Sequence, residues 1–146
     1  VELVEIAIKQ LFEDLKVEYQ ILEKEGFKHY FSENIDIFVG DCFQLTSEMI
    51  GNIDAIYDRA ALVALPEEMR KRYTAHLIDI TNNAPKLLIT FEYEQSEMQG
   101  PPFSIPKDEI MSHYQKVYNI KHLETIDATG SLRGSFAIKE NVWLIK

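Results

Sequence analysis

Apolar positions recur along the chain in two alternating rhythms. Val4, Ile8, Leu11 and Leu15 are spaced by 4, 3 and 4 residues, which puts them on one face of a helix. "FKHYF", after Gly26, reads as a short strand. "IDIFVG" over residues 35–40 alternates apolar and polar positions before turning apolar, and "IDAIYD" over residues 53–58 repeats that form. Pro66 then opens a helix. Its fixed φ suits the first position, and Glu67 and Glu68 favour the positive end of the helix dipole. Met69, Tyr73, Leu77 and Ile80 are its expected buried stripe. "KLLITFEY" over residues 86–93 reads as a strand covered on both faces. A second proline-led helix runs from Pro106 to about Gln115, with Asp108 and Glu109 in its first turn. The chain closes on two strands, "IKHLETID" and "NVWLIK", expected to pair antiparallel at a sheet edge.

This alternation predicts an α/β fold of the Rossmann-like kind, a mostly parallel sheet whose last strand is antiparallel. With 146 residues the chain suffices for one domain, spanning positions 1–146, around one core. Open sheets of this kind bind ligands at the carboxyl ends of their strands. Attention therefore falls on Glu2, Asp41, the pair Asp58-Arg59, and Glu92-Tyr93-Glu94.

Composition narrows the ligand. The formal net charge of −9 argues against a nucleic-acid partner, which needs a basic face. Lysines and arginines are scattered, and the short run Arg70-Lys71-Arg72 reads as a solvated helix face. A single cysteine rules out a disulfide within the chain and fits a reducing, cytoplasmic setting. No apolar run reaches membrane-spanning length and no signal peptide is visible, so a membrane partner is not expected. The 4 histidines lack metal-ligand spacing and read as surface or edge residues, and no metal is expected. A small molecule remains as the partner.

Each candidate carries two readings. Glu2 accepts from vicinal ribose hydroxyls, or is an ordinary surface glutamate. Asp41, in "GDCF", caps a turn or receives a purine exocyclic amine, and Cys42 beside it reads as a packed thiol. Asp58 and Arg59 form a structural ion pair, or Arg59 offers its donors to a substrate at a pocket mouth. "GPPFSIP" over residues 100–106 is a stiff connector or a lid over a flat aromatic ring. "GSLRG" over residues 130–134 carries Arg133, which closes over a ligand or is merely solvated. Glycine-rich phosphate loops, GxSxG and CxxC are missing from the sequence.

Taken in order, "VELVEIAIKQLF", "GDCFQLT", "IDAIYDRAALVALPEEMRKRY", "LLITFEY", "GPPFSIP" and "VWLIK" resemble the thiopurine S-methyltransferases, the bacterial members above all, over essentially the whole chain. The resemblance implies a class I methyltransferase using S-adenosyl-L-methionine and acting on the sulfur of a small aromatic or heterocyclic thiol. It implies Glu2 at the cofactor ribose, and Asp41 and Cys42 flanking the adenine. Arg59 is implied as the active-site arginine with Asp58 its catalytic neighbour. Pro101, Pro102 and Phe103 are implied as substrate-pocket lining, and Arg133 as a second substrate-side arginine on a loop that aligns to within a residue or so. The family's first, central strand and its glycine-containing cofactor loop fall before Val1, so the sheet expected here lacks that strand and the chain alone is expected to be inactive. Two alternatives stay open: a methyltransferase of the same fold for halide, small thiols or metalloid species, and a non-catalytic binding module. The oligomeric state is not legible.

Overall fold

The computed structural model describes residues 1–24, 26–132 and 135–146. The chain divides into two compact units, Val1–Thr46 and Ser47–Lys146.

In the first unit, helix α1 (Glu5–Leu15) is followed by strands β1 (Gln20–Lys24), β2 (Phe27–Phe31) and β3 (Asp36–Val39). These make a three-stranded antiparallel sheet in the order β1-β2-β3. Lys24 opposite Phe27 leaves a two-residue turn, and Gly26 supplies its positive φ of 83°. The chain before α1 adds to the other side of β3. Glu2 N–H donates to Phe38 O (2.9 Å) and Gly40 N–H to Glu2 O (3.0 Å), a parallel bridge opposite Val39.

Helix α1 buries Ile8 and Phe12 against Tyr30, with Tyr19, Ile35, Ile37 and Val39 packed around them. The expected stripe is thus corrected: Ile8 is its only buried member, while Val4, Leu11 and Leu15 are exposed and Phe12 takes their place. The aromatic contacts explain the choice, since the Phe12 and Tyr19 rings lie 4.7 Å apart and Tyr30 stacks beside them. Glu5 ties helix to sheet. It receives Tyr30 Oη and Lys28 Nζ (2.8 Å) and pairs with Lys9 (3.1 Å). The Lys28 hydrogen bond, with those of Tyr30 and Lys9, holds its carboxyl down at about 2.

The second unit opens with the short helix α2 (Ser47–Ile50). It continues with β4 (Ile56–Arg59), α3 (Glu67–Ile80), β5 (Lys86–Glu92), α4 (Lys107–Tyr114), β6 (Ile120–Asp127) and β7 (Lys139–Ile145). The sheet order is β4-β5-β7-β6. Strands β4 and β5 run parallel, and β7 is inserted between β5 and β6, antiparallel to both. The α/β class and the antiparallel last strand are as read from the sequence. The expected mostly parallel sheet is not what the described ladders display: β4–β5 is parallel, and the ladders β1–β2, β2–β3, β5–β7 and β6–β7 are antiparallel. Short connections explain the first pair, because a two-residue turn can join only antiparallel strands.

Burial along β5 and β7 alternates strictly. Lys86, Leu88 and Thr90 face inward with Asn141, Trp143 and Ile145, whereas Leu87 is exposed. "KLLITFEY" is therefore covered on one face, not both, and its buried face begins with a lysine. The α3 stripe holds in part: Tyr73 and Ile80 are buried as expected and Leu77 is half-buried, but Arg70 takes the place of Met69. Arg70, Tyr73, Thr74 and Ile80 are buried and Met69 is exposed.

Phe12→Ala, at the centre of the first unit's core and 1% exposed, is expected to destabilise that unit by about 3–5 kcal/mol. Urea unfolding followed by tyrosine fluorescence checks this, and a loss under about 1 kcal/mol would contradict the packing described.

Candidate active site

Strand β4 ends on two charges that part company. Successive strand residues point to opposite faces, so Asp58 turns into the α3/α4 side while Arg59 turns outward. Asp58 is 3% exposed. Its Oδ1 accepts from Leu62 N–H (3.3 Å) and its Oδ2 from Tyr73 Oη (3.1 Å). Burial raises its pKa, against the pull of those two bonds and of the Lys86 charge. Arg59 keeps 58% of its side chain exposed, and its Nη2 lies 3.7 Å from Glu140 Oε2. The two charges do not form an ion pair with each other.

Between them and the next helix the chain reverses sharply. Ala60 sits at a φ of 69°, a left-handed conformation that strains an alanine by about 1–3 kcal/mol. A 3-10 turn, Leu62–Ala64, follows, with Leu62 and Val63 buried. The Asp58 carboxylate, gripping the Leu62 amide, holds this reversal closed. Burial of Leu62 and Val63 and the Asp58 cap on the Leu62 amide act together on this turn.

The proline loop is fastened to that turn. Phe103 N–H donates to Val63 O at 2.6 Å, and Ile105 N–H to Phe91 O at 2.7 Å. Tyr93 Oη donates to Pro102 O (2.6 Å). Ser104 Oγ donates to Tyr93 O (2.7 Å) and accepts from Tyr93 N–H (2.9 Å). Gln95 closes the clasp with both ends of its amide: Nε2 donates to Met98 O (2.5 Å) and Oε1 accepts from Ser104 N–H (3.0 Å). Gly100 has a φ of 84°, and a Cβ there would fall 2.6 Å from the Phe103 ring. A cavity of about 740 Å³ opens beside the loop, lined by Met98, Gly100, Pro101, Pro102, Ser131 and Leu132. Two of the expected substrate residues, Pro101 and Pro102, thus line one cavity. Phe103 lies behind them, on the turn that follows Arg59. Arg133 lies outside the described residues.

Arg70 braces the same region from below. Its Nε and Nη2 grip Glu109 Oε1 (2.5 Å) and Oε2 (2.9 Å), its Nη1 donates to Leu65 O (2.8 Å), and its guanidinium stands 5.7 Å from the Phe103 ring centroid. This corrects the reading of residues 70–72 as a solvated face at Arg70 alone, which is 5% exposed and joins α3, α4 and the turn; Lys71 and Arg72 are exposed as read. The His113 side chain is only 5% exposed, its Nε2 3.2 Å from Glu109 Oε1, so it is no surface histidine. Burial pushes the Glu109 carboxyl up, but the His113 and Arg70 hydrogen bonds outweigh it and hold it at about 2.

The other three expected residues belong to the first unit. The bridge to β3 sets Glu2 beside Gly40, at the strand end that carries Asp41 and Cys42. Glu2 Oε1 accepts from the amides of Leu3 (2.8 Å) and Val4 (3.0 Å), and among the described residues Oε2 has no hydrogen-bond partner. Asp41 caps the 3-10 turn Cys42–Gln44 by accepting from Phe43 N–H (3.0 Å). Cys42 is half-buried. Two carboxylates at adjoining strand ends, one with an oxygen to spare, are a set of acceptors that fits the donating hydroxyls and amine of a nucleoside.

Sequence reasoning missed Arg70, Glu109, Gln95 and Lys86. Arg70 and Glu109 each had a legible signal. Arg70 stands 3 and 4 residues before Tyr73 and Thr74, and Glu109 stands 4 before His113. Lys86 had none, because Tyr114 and Tyr118, whose rings it faces, come from distant segments; the Gln95 bonds are local, to Met98 and Ser104, but follow no regular spacing. Among the described residues no group of three or more His, Cys, Asp or Glu could hold a metal ion. No described helix is long and apolar enough to cross a membrane.

Comparison with known proteins covers all of this. The family model described as thiopurine S-methyltransferase matches residues 1–146. A thiopurine S-methyltransferase of Teredinibacter turnerae is 50% identical over 143 residues, 98% of this chain and 67% of that protein. Those of Xanthobacter autotrophicus and Acinetobacter baylyi are 41% and 40% identical, each over 99% of this chain and 68% and 69% of their own lengths. The chain spans about two thirds of the length of these relatives.

Glu109→Gln is expected to destabilise the protein by about 3–5 kcal/mol at neutral pH, since it leaves Arg70 buried without its charge partner. The sign with pH follows from a folded pKa held below the ordinary 4.5: the Glu109 contribution is fully present above about 4.5 and is lost as the pH falls toward about 2. Acid unfolding monitored by circular dichroism should accordingly be flatter over that window in the variant, and an unchanged acid limb would refute the assignment.

Proposed function

The chain belongs to the thiopurine S-methyltransferase family, and on that footing we propose that it serves methyl transfer from S-adenosyl-L-methionine to the sulfur of a small aromatic or heterocyclic thiol. The family is one of methyl-transferring enzymes. The observation that carries the finer reading is the 2.6 Å bond from Phe103 N–H to Val63 O, which fastens a stiff, proline-lined cavity loop to the strand end bearing Arg59.

When bound, the cofactor would supply an electrophilic methyl group on a sulfonium; a thiolate sulfur would bond to that methyl as the sulfonium C–S bond breaks, its electron pair leaving with S-adenosylhomocysteine. The residues of this chain then have separate tasks. Glu2, with Oε2 to spare, holds the ribose hydroxyls, and Asp41 and Cys42 flank the adenine. Arg59 orients the thiol and favours its anionic form, keeping the proton off the sulfur by electrostatic stabilisation. Its tie to Glu140 at 3.7 Å is an exposed pair worth little, so it yields to a substrate readily. Pro101, Pro102 and Phe103 line the substrate side and keep water out, which suits a reaction in which charge is neutralised. Asp58 acts through the turn it caps. Arg133 is the second substrate-side cation of the proposal.

The family match spans residues 1–146, and both units are read as parts of one methyltransferase domain. A cytoplasmic setting fits the single, half-buried cysteine.

In a protein spanning the full length of its relatives, Arg59→Ala is expected to lower methyl transfer to a heteroaromatic thiol by about a hundredfold or more. S-adenosylhomocysteine binding, measured by calorimetry on the same variant, should stay within about twofold, a small fraction of 1.4 kcal/mol. Equal turnover by the variant would remove Arg59 from the reaction. Glu2→Gln should do the reverse, weakening S-adenosylhomocysteine tenfold or so while leaving affinity for the thiol unchanged.

A further inference from the structure

Lys86 is 1% exposed, yet among the described residues its Nζ has no hydrogen-bond partner, and the same holds for the Tyr114 hydroxyl. A buried ammonium is kept only where something compensates it. Part of the compensation is aromatic: Nζ stands 4.6 Å from the Tyr114 ring centroid and 5.2 Å from that of Tyr118. The rest is Asp58. In the β4–β5 ladder Ile56 faces Lys86 and Asp58 faces Leu88, so Lys86 and Asp58 are diagonal neighbours on one buried face.

We propose that Lys86 is a positioning residue: its buried ammonium keeps Asp58 ionised, and ionised Asp58 holds the turn at residues 60–65 and, through that turn, Phe103. The chain of contacts is continuous. Asp58 takes the Leu62 amide and the Tyr73 hydroxyl, and Val63 O takes the Phe103 amide. The groups facing Asp58 are Lys86 from β5, Tyr73 from α3, Tyr114 from α4, and the amides of Ala61 and Leu62 from the turn. Of these Lys86 alone carries a charge at neutral pH, because Arg59 on the same strand points to the opposite face. Burial raises the Asp58 pKa, and the Lys86 charge opposes that rise. Burial in turn lowers Lys86 to about 8, and the Asp58 charge opposes that fall. Each group therefore holds the other in its charged form, as reciprocity requires.

The consequence is a pH window for the turn. Asp58 loses its charge as the pH falls through its raised pKa, and Lys86 loses its own as the pH rises through about 8. Between the two the cap is charged on both sides. This inference rests on the methyltransferase reading only in calling Phe103 a substrate-side residue; the charge coupling stands apart from it.

The test is a carboxyl-carbon NMR titration of Asp58 in the chain and in Lys86→Met, with hydrogen exchange at the Leu62 and Phe103 amides. In Lys86→Met the Asp58 midpoint should move up by a unit or more, at least tenfold in proton affinity. The pH at which the two amides lose protection should rise with it, and Lys86→Arg should restore both. Lys86→Met leaves Asp58 buried without its counter-charge, so it should cost stability at neutral pH and cost less as the pH falls and Asp58 becomes neutral, a pH dependence that plain loss of packing would not show. An unchanged Asp58 midpoint, or a shifted midpoint with unmoved amide protection, would overturn the proposal. Should Lys86→Met fail to fold, the native chain decides: the Asp58 carboxyl resonance should show a second inflection near pH 8, where Lys86 titrates, and a flat trace there overturns it. Neither readout depends on methyl transfer, so failure here and failure of the functional reading are distinguishable.

Discussion

One carboxylate organises the second unit. Asp58 is placed inward by the alternation of β4, and everything around the proline loop hangs on what it accepts. Its hold on the Leu62 amide closes a reversal that begins with a left-handed alanine. The closed turn presents Val63 O, and that carbonyl seats Phe103. The next residue along the strand, Arg59, is turned outward by the same alternation, so the reversal that buries one charge also presents the other. A neutral isostere at residue 58 would keep the shape of the strand and lose the acceptor strength that keeps the turn shut.

The layer between sheet and helices is unusually polar for a buried face. Arg70, Thr74, Asp58 and Lys86 are buried there, and the side chains of Glu109 and His113 are only 17% and 5% exposed. Such groups add little net stability over well-packed apolar side chains, yet each is strongly destabilising if its partner is removed. What they supply is direction. A guanidinium forked onto Glu109 with a third bond to Leu65 O admits one relative placement of α3, α4 and the turn, where leucines would admit several. The first unit uses the same device more modestly, with Glu5 joining α1 to β2 through Tyr30 and Lys28.

Much of this architecture was legible. The two proline-led helices, the strand ending on Asp58-Arg59, and the reversed last strand were all visible, because proline, acidic first turns and two-residue alternation are local signals. The hairpin partner β1 was not, since "QILEK" has neither strong alternation nor a run of branched residues. Both helical stripes were right in part, at Ile8 and at Tyr73 and Ile80, and wrong where a side chain with a specific partner, Phe12 with Tyr19 or Arg70 with Glu109, took the place of its neighbour Leu11 or Met69. The site was legible in part: Pro101 and Pro102 were found as cavity lining, whereas the Gln95 clasp and the Lys86 counter-charge depend on contacts that only the folded chain brings together.

Gly100 carries a consequence for how such a pocket can change over generations. Its positive φ and the 2.6 Å approach to Phe103 close that position to other side chains, and the clasp around it fixes the backbone on either side. The shape of the cavity is then left to the side chains of Met98, Ser131 and Leu132, which line it without sharing the glycine's backbone constraint.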